Sequence, residues 1–160
     1  MPYTVEPVAY VRASRLHAED DFWGDEEARI ELVPGFSADA LEGLSGFTHV
    51  EVLFVFHAVE PGKIVTGARH PRNNRAWSAV GIFAQRGKNR PNRIGSTMCR
   101  IVRVDGSTLT VAGLDAIDGT PVLDIKPVMQ EFLPRQTVGQ PAWSHELMAD
   151  YWSNKGMPGG

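Results

Sequence analysis

Residues 48–57, THVEVLFVFH, set the tightest limit on the fold. Successive side chains of an extended chain point to opposite sides. Val50, Val52, Phe54 and Phe56 therefore share one face, and His49, Glu51, Leu53, Val55 and His57 share the other. One wholly apolar face and one half-polar face suit the wall of a barrel or sandwich. Residues 3–12, 28–33, 79–84, 94–104, 107–114 and 121–125 read as further strands. Asp105-Gly106 is a hairpin signal, and Pro34-Gly35 is a turn pair. A short helix is predicted after Ser37, its N-cap, with Asp39 in the first turn, Phe36 and Leu41 as a hydrophobic staple, and Gly43 and Gly46 ending it. A second is predicted over about residues 141–153, started by Pro141, with Trp143, Leu147 and Tyr151 on one stripe. The strands do not alternate with helices. The pattern predicts a mainly β chain, a single domain over residues 1–160: a small closed, mostly antiparallel β-barrel with two or three short helices.

With 160 residues the chain is one domain in length and needs no disulfide or metal staple. Its one cysteine, Cys99, excludes an intramolecular disulfide, and a reducing, cytoplasmic setting is expected. The longest wholly apolar run, residues 52–56, is far short of a membrane span, and residues 1–11 lack the pattern of a secretory signal.

The formal charge of −3 conceals an uneven distribution. Between Arg69 and Arg103 lie nine of the 16 basic residues and no acid, while residues 1–60 hold twelve of the 19 acids. Such a segment creates a local field that attracts anions, phosphate backbones and nucleotide-like cofactors among them. Pairing of these arginines with acids elsewhere on the fold is the alternative.

Three segments carry the candidate chemistry. Residues 81–95, GIFAQRGKNRPNRIG, place Arg86 past a short strand, then a turn-rich loop with Lys88, Arg90 and Arg93 around Pro91. An arginine so placed grips a carboxylate or phosphate through its planar fork; a solvated basic loop is the alternative. Residues 114–127, LDAIDGTPVLDIKP, contain a tight turn at Asp118-Gly119. Asp118 suits hydrogen bonds to a ligand's hydroxyls or simply shapes the turn, and Asp124 is placed to pair with Lys126. Three aspartates in this stretch lack the spacing of a calcium loop, and one cysteine with five histidines shows no zinc spacing, so no metal is expected. His57 ends the best strand, followed by Ala58, and suits either proton transfer near neutral pH or a structural hydrogen bond. Phe22 and Trp23, in an acidic loop, suit stacking on a base, shielding of a cation, or packing on the core. Gly-x-Gly-x-x-Gly, Gly-Lys-Ser/Thr and Gly-x-Ser-x-Gly are all absent.

In combination, GFTHVEVLFVFH (46–57), GIFAQRGKNRPNRIG (81–95) and GLDAIDGTPVLDIKP (113–127) resemble the TrmO-like (TsaA-like) family of S-adenosylmethionine-dependent tRNA methyltransferases, in its order and spacing. The resemblance implies a small closed β-barrel rather than a Rossmann-type methyltransferase, with the cofactor near a homodimer interface. It implies N6-methylation of threonylcarbamoyladenosine next to the tRNA anticodon. By position it implies cofactor contacts from Phe22, Trp23, Gly24, His57, Ala58, Arg86, Ser96, Ala116, Ile117, Asp118 and Gly119. Arg86 would take the cofactor carboxylate and Asp118 its ribose or ammonium, with His57 and Asp118 the candidate bases. Lys88, Arg90 and Arg93 would hold RNA phosphates. The chain departs from the family at Arg93, where proline is usual, at Gln85, where threonine is usual, and at Asp21-Phe22-Trp23-Gly24, where a Pro-Arg-Gln-type segment is common. Longer members add a C-terminal domain where this chain has its predicted last helix. These departures touch the acceptor side more than the cofactor side. The alternatives are a methyltransferase for another RNA or small molecule, and a non-catalytic barrel that binds S-adenosylmethionine or RNA.

Overall fold

The computed structural model describes residues 1–154. It contains eight strands and one α-helix: β1 (Ala9–Ala13), β2 (Glu27–Leu32), β3 (His49–Val55), β4 (Ala68–Arg69), β5 (Val80–Gly81), β6 (Ile94–Asp105), β7 (Thr108–Ala112), β8 (Pro121–Pro127) and α1 (Ala142–Leu147). Six strands close into a barrel in the order β1-β2-β7-β6-β3-β8, with every neighbouring pair antiparallel. Closure leaves the barrel no unpaired edge. The fold read from the sequence is the fold observed.

The alternation of β3 turns Val50, Val52 and Phe54 into the barrel, where they meet Val11, Ile30, Cys99, Leu109, Val111 and Val122. Gly95 lies directly across from Phe54 on β6. A Cβ at Gly95 would come within 2.6 Å of the Phe54 ring and 2.9 Å of Phe56. Its missing side chain makes room for those two rings to pack edge to face, 5.3 Å apart. The β6–β7 hairpin pairs Asp105 with Thr108, leaving Gly106 and Ser107 as a two-residue turn with Gly106 at φ 62.

Several predicted boundaries differ. The strand expected over residues 3–12 begins at Ala9, because Pro2 and Pro7 offer no amide donors to a ladder. The helix capped by Ser37 is one 3-10 turn, Ala38–Leu41; Ser37 Oγ does accept the Asp39 N–H, and Leu41 enters the core while Phe36 stays exposed. The strand expected over 79–84 is only β5, paired with β4 in a separate ribbon, and continues as a 3-10 turn, Ile82–Ala84. The Gln85 amide clips that ribbon by donating to the carbonyls of Arg69 and Val80, each at 3.0 Å. The last helix stops at Leu147 rather than near 153. Beyond it the carbonyls of Asp150 and Tyr151 accept the N–H groups of Phe22 and Trp23, so they serve another loop instead of a helix.

Candidate active site at one rim of the barrel

The antiparallel register gathers the candidate residues at one end of the barrel. The end of β3 lies beside the start of β6, with Val55 opposite Ile94. It also lies beside the start of β8, with Phe54 opposite Val122. His57 and Ala58 follow β3, Ser96 opens β6, and residues 116–119 precede β8. The loop carrying Phe22, Trp23 and Gly24 enters β2 at the same rim, because Glu27 pairs with Ala112 at the end of β7.

The turn at 116–119 is held on β1. Asp118 N–H donates to the Arg15 carbonyl at 2.7 Å and Gly119 N–H to the Val11 carbonyl at 2.8 Å. Asp118 Oδ1 accepts the Ala13 N–H at 3.0 Å, which leaves Oδ2 available. Gly119 has φ 81, and a Cβ there would sit 3.9 Å from His57 Nε2. His57 and this turn, read separately from the sequence, are therefore neighbours. Ala116 is buried beneath the turn, Ile117 is half-buried, and His57 and Ala58 are exposed.

Arg86 reaches the rim from the loop after the β4–β5 ribbon. Its guanidinium is exposed and donates through Nη2 to the Ser96 carbonyl at 2.5 Å, joining two of the predicted cofactor residues. One residue on, Thr97 donates its hydroxyl to Asp115, and Tyr151 donates its own to the other oxygen of that carboxylate. Burial, with the Asp115 charge and its hydrogen bond, drives the Tyr151 phenol far above its ordinary pKa; Arg86 and Arg72 pull the other way. Burial, and secondarily Asp115, pushes the Cys99 thiol up to about 12.

Asp115 and Tyr151 escaped the sequence reading. In the sequence Asp115 is one of three aspartates without the spacing of a metal loop, and Tyr151 continues the apolar stripe of a predicted helix. The polar end of that tyrosine, so near the chain's C-terminal segment, was the available signal. The three carboxylates go to three places: Asp115 to two hydroxyls, Asp118 to the Ala13 N–H, and Asp124 to the Ile125 N–H and to Lys126 at 3.2 Å. Among the described residues no three metal-ligating side chains converge.

The 22–24 loop is packed, not open. Trp23 is 3% exposed, with the Arg15 guanidinium 3.9 Å from its ring centre. Arg15 also donates to the carbonyls of Asp21 and Phe22 and pairs with Glu19 and Glu26. Phe22 is held at φ 73, and a Cβ on Gly24 would overlap the Trp152 carbonyl oxygen at 1.9 Å. Arg72 joins the loop to the ribbon through Asp21 at 3.0 Å, and Trp77 Nε1 donates to Glu146 of α1 at 2.7 Å. Of the roles open to these aromatics, Trp23 takes core packing and the shielding of a cation, while Phe22 is half-buried.

The basic loop is likewise held by its own arginines, on itself and on the segment after β3. Arg90 donates to the Gln85 carbonyl at 2.5 Å and Arg93 to the Val59 carbonyl at 2.7 Å. Asn92 and Arg93 sit at positive φ, 62 and 53. The Lys88 ammonium is exposed and has no partner among the described residues.

The sequence profile of the tRNA-methyltransferase O N-terminal domain matches residues 14–132. RcsF of Pseudomonas aeruginosa is 36% identical over 135 residues, covering 79% of this chain and 57% of its own length. A mouse tRNA (adenine(37)-N6)-methyltransferase is 39% identical over 111 residues, covering 69% of this chain and 25% of its own length. A crystal structure of TrmO from P. aeruginosa superposes with a TM-score of 0.66 at 31% identity, covering 86% of this chain and 61% of that one. The chain thus spans about half the length of RcsF and a quarter of the mouse protein. The matched span contains every barrel strand except β1 and every rim residue from Phe22 to Gly119, and on that ground the chain belongs to the TrmO family, through its tRNA-methyltransferase O N-terminal domain.

Proposed function

We propose that the protein is an S-adenosylmethionine-dependent methyltransferase acting on the N6 nitrogen of adenosine 37 of tRNA, in its threonylcarbamoyl form. The observation that carries the reading is the convergence of His57, Arg86, Ser96 and the 116–119 turn at one rim, within the span that matches the family. The name of the mouse relative, a tRNA (adenine(37)-N6)-methyltransferase, supports the position on tRNA, and the threonylcarbamoyl form rests on the resemblance of the sequence motifs to the family.

The side chains at the rim fit such a cofactor. Arg86 uses one of its five N–H donors on Ser96, leaving a fork exposed for a carboxylate. Asp118 keeps one oxygen for an ammonium or ribose hydroxyl. The 115–119 segment contains no Lys or Arg to oppose a sulfonium. When bound, S-adenosylmethionine supplies an electrophilic methyl group.

The chain's own residues then have separable tasks. Arg86 anchors one end of the cofactor, and the turn over β1 fixes the other. Holding both reactants in line supplies much of the acceleration expected of such a site. The acceptor nitrogen is urea-like and weakly basic, so removal of its proton helps, and His57 is exposed beside Gly119 in position to accept it. Lys88, Arg90 and Arg93 add positive charge on the neighbouring loop. Phe83, 79% exposed and three residues from Arg86, offers apolar surface for a second copy of the chain. Among the described residues no helix is long and apolar enough to cross a membrane, and a cytoplasmic site of action is part of the reading.

The test is transfer of labelled methyl from S-adenosylmethionine to two tRNA pools, one carrying threonylcarbamoyladenosine and one from cells unable to make it. Label in the first pool alone is the expected result. Label in both moves the target to another position, and label in neither, with cofactor binding intact, removes tRNA methylation.

A further inference from the structure

Arg90 and Arg93 of the basic loop donate to the carbonyls of Gln85 and Val59, whereas Arg29 and Arg103 on the barrel's outer wall have no such duty. The register sets Arg12 opposite Arg29, Arg29 opposite Thr110, and Thr110 opposite Arg103. Directly opposed residues of neighbouring strands share a face, so three guanidinium groups lie in one row across β1, β2, β7 and β6. A register shift in β6 between Ile101 and Arg103 brings Arg103 into that row. Leu109 and Val111 point into the core, so Thr110 points outward, yet it is only 4% exposed. It forms the floor of a groove of about 380 Å³ whose walls include Arg12, Arg29, Arg103, Glu27 and Asp118.

Arg12 is paired with Glu31 at 3.3 Å. Arg29 and Arg103 have no ion pair or side-chain hydrogen bond among the described residues. They stand on either side of β7, two strand spacings or about 10 Å apart. Asp118 joins the groove to the rim: it lines the groove, and Gly119, next in the chain, faces His57.

We infer that this groove is a docking surface for the sugar–phosphate backbone of the RNA substrate, with Arg29 and Arg103 each holding one phosphate. A polyanion with regularly spaced phosphates suits two separated forks better than one compact anion does. The groove runs up to the rim, so a strand lying in it leads toward the reacting centre. The inference rests on the proposed tRNA methylation, since it names where that substrate docks.

The experiment is a titration of the full chain with threonylcarbamoyladenosine-bearing tRNA over a series of potassium chloride concentrations, for the wild type, Arg103→Gln and the Arg29→Gln/Arg103→Gln pair. Calorimetry with S-adenosylmethionine accompanies each variant. The pair should bind tRNA about tenfold more weakly or worse near ~0.15 M salt, and its salt slope should fall by about 2, one per phosphate. The single variant should lower the slope by about 1 with cofactor affinity unchanged, and it carries the test alone if the pair does not fold. Wild-type tRNA affinity and slope in the variants, with cofactor binding intact, overturn the groove. A wild type that binds the cofactor but shows no salt-dependent tRNA binding overturns the functional reading as well.

Discussion

Cys99 and Tyr151 both keep their protons in the folded chain for the same two reasons, burial and the nearby carboxylate of Asp115. The Cys99 thiol is pushed from 9.0 up to about 12, and the Tyr151 phenol is raised from 10.0. A group whose folded pKa is raised stabilises the fold fully below its unfolded pKa, and that stability is lost as pH climbs through the folded value. Stability should therefore hold to about pH 9 and decline between about 9 and 12, where the unfolded chain ionises these groups and the folded chain does not. Urea midpoints across that range measure it. The Tyr151→Phe chain should decline less steeply above about pH 10, because only Cys99 then remains shifted. A midpoint that stays level to about pH 11.5 contradicts this account of Cys99 and Tyr151 as groups buried beside Asp115. No periodicity announces such a network, since its members come from a strand, a loop and the C-terminal segment. The rim positions of His57 and Arg86 follow more readily from the sequence, because each stands at the end of a strand-like segment. The role of Asp115 does not, because it depends on hydroxyls far away in sequence.

At the scale of elements, strands with regular alternation were readable and short ones were not. β3 and the β6–β7 hairpin follow from alternation and from Asp105-Gly106. Residues 79–84 read equally well as a strand, but the barrel has no vacant edge to pair them, so β5 finds only β4 and then turns. The C-terminal helix is short for a related reason: beyond Leu147 the carbonyls of Asp150 and Tyr151 bond to the 22–23 loop. That loop is in turn closed over Trp23 by Arg15, a partner no local pattern reveals. Gly95 shows how one position can govern two strands. Gly95→Ala forces the Phe54 and Phe56 rings to move, and overpacking of this kind costs about 1–3 kcal/mol. Urea unfolding should register that loss with an unchanged slope. A variant as stable as the wild type would mean that the rings relax without cost.

On the scale of the whole molecule, the barrel is a closed scaffold that sends four irregular segments to one rim. The antiparallel register alone decides that the end of β3, the start of β6 and the turn before β8 arrive together. The uneven charge noted in the sequence is resolved in two ways. Arg90 binds its own loop, Arg93 the Val59 carbonyl and Arg72 the acidic 20–21 segment, whereas Arg86 stays exposed at the rim and Arg103 stays unpaired on the wall among the described residues, as does Arg29 from the acidic part of the chain. Charge counting could locate a field but not say which arginines remain free to create it.

The central claim, that this rim binds S-adenosylmethionine with Arg86 as its anchor, is tested most directly by calorimetric titration of the cofactor into the wild type and Arg86→Ala. The wild type should bind, and the variant should lose about tenfold or more in affinity through one charge-assisted hydrogen bond, with its thermal midpoint little changed. Equal affinity in the two chains would contradict the claim.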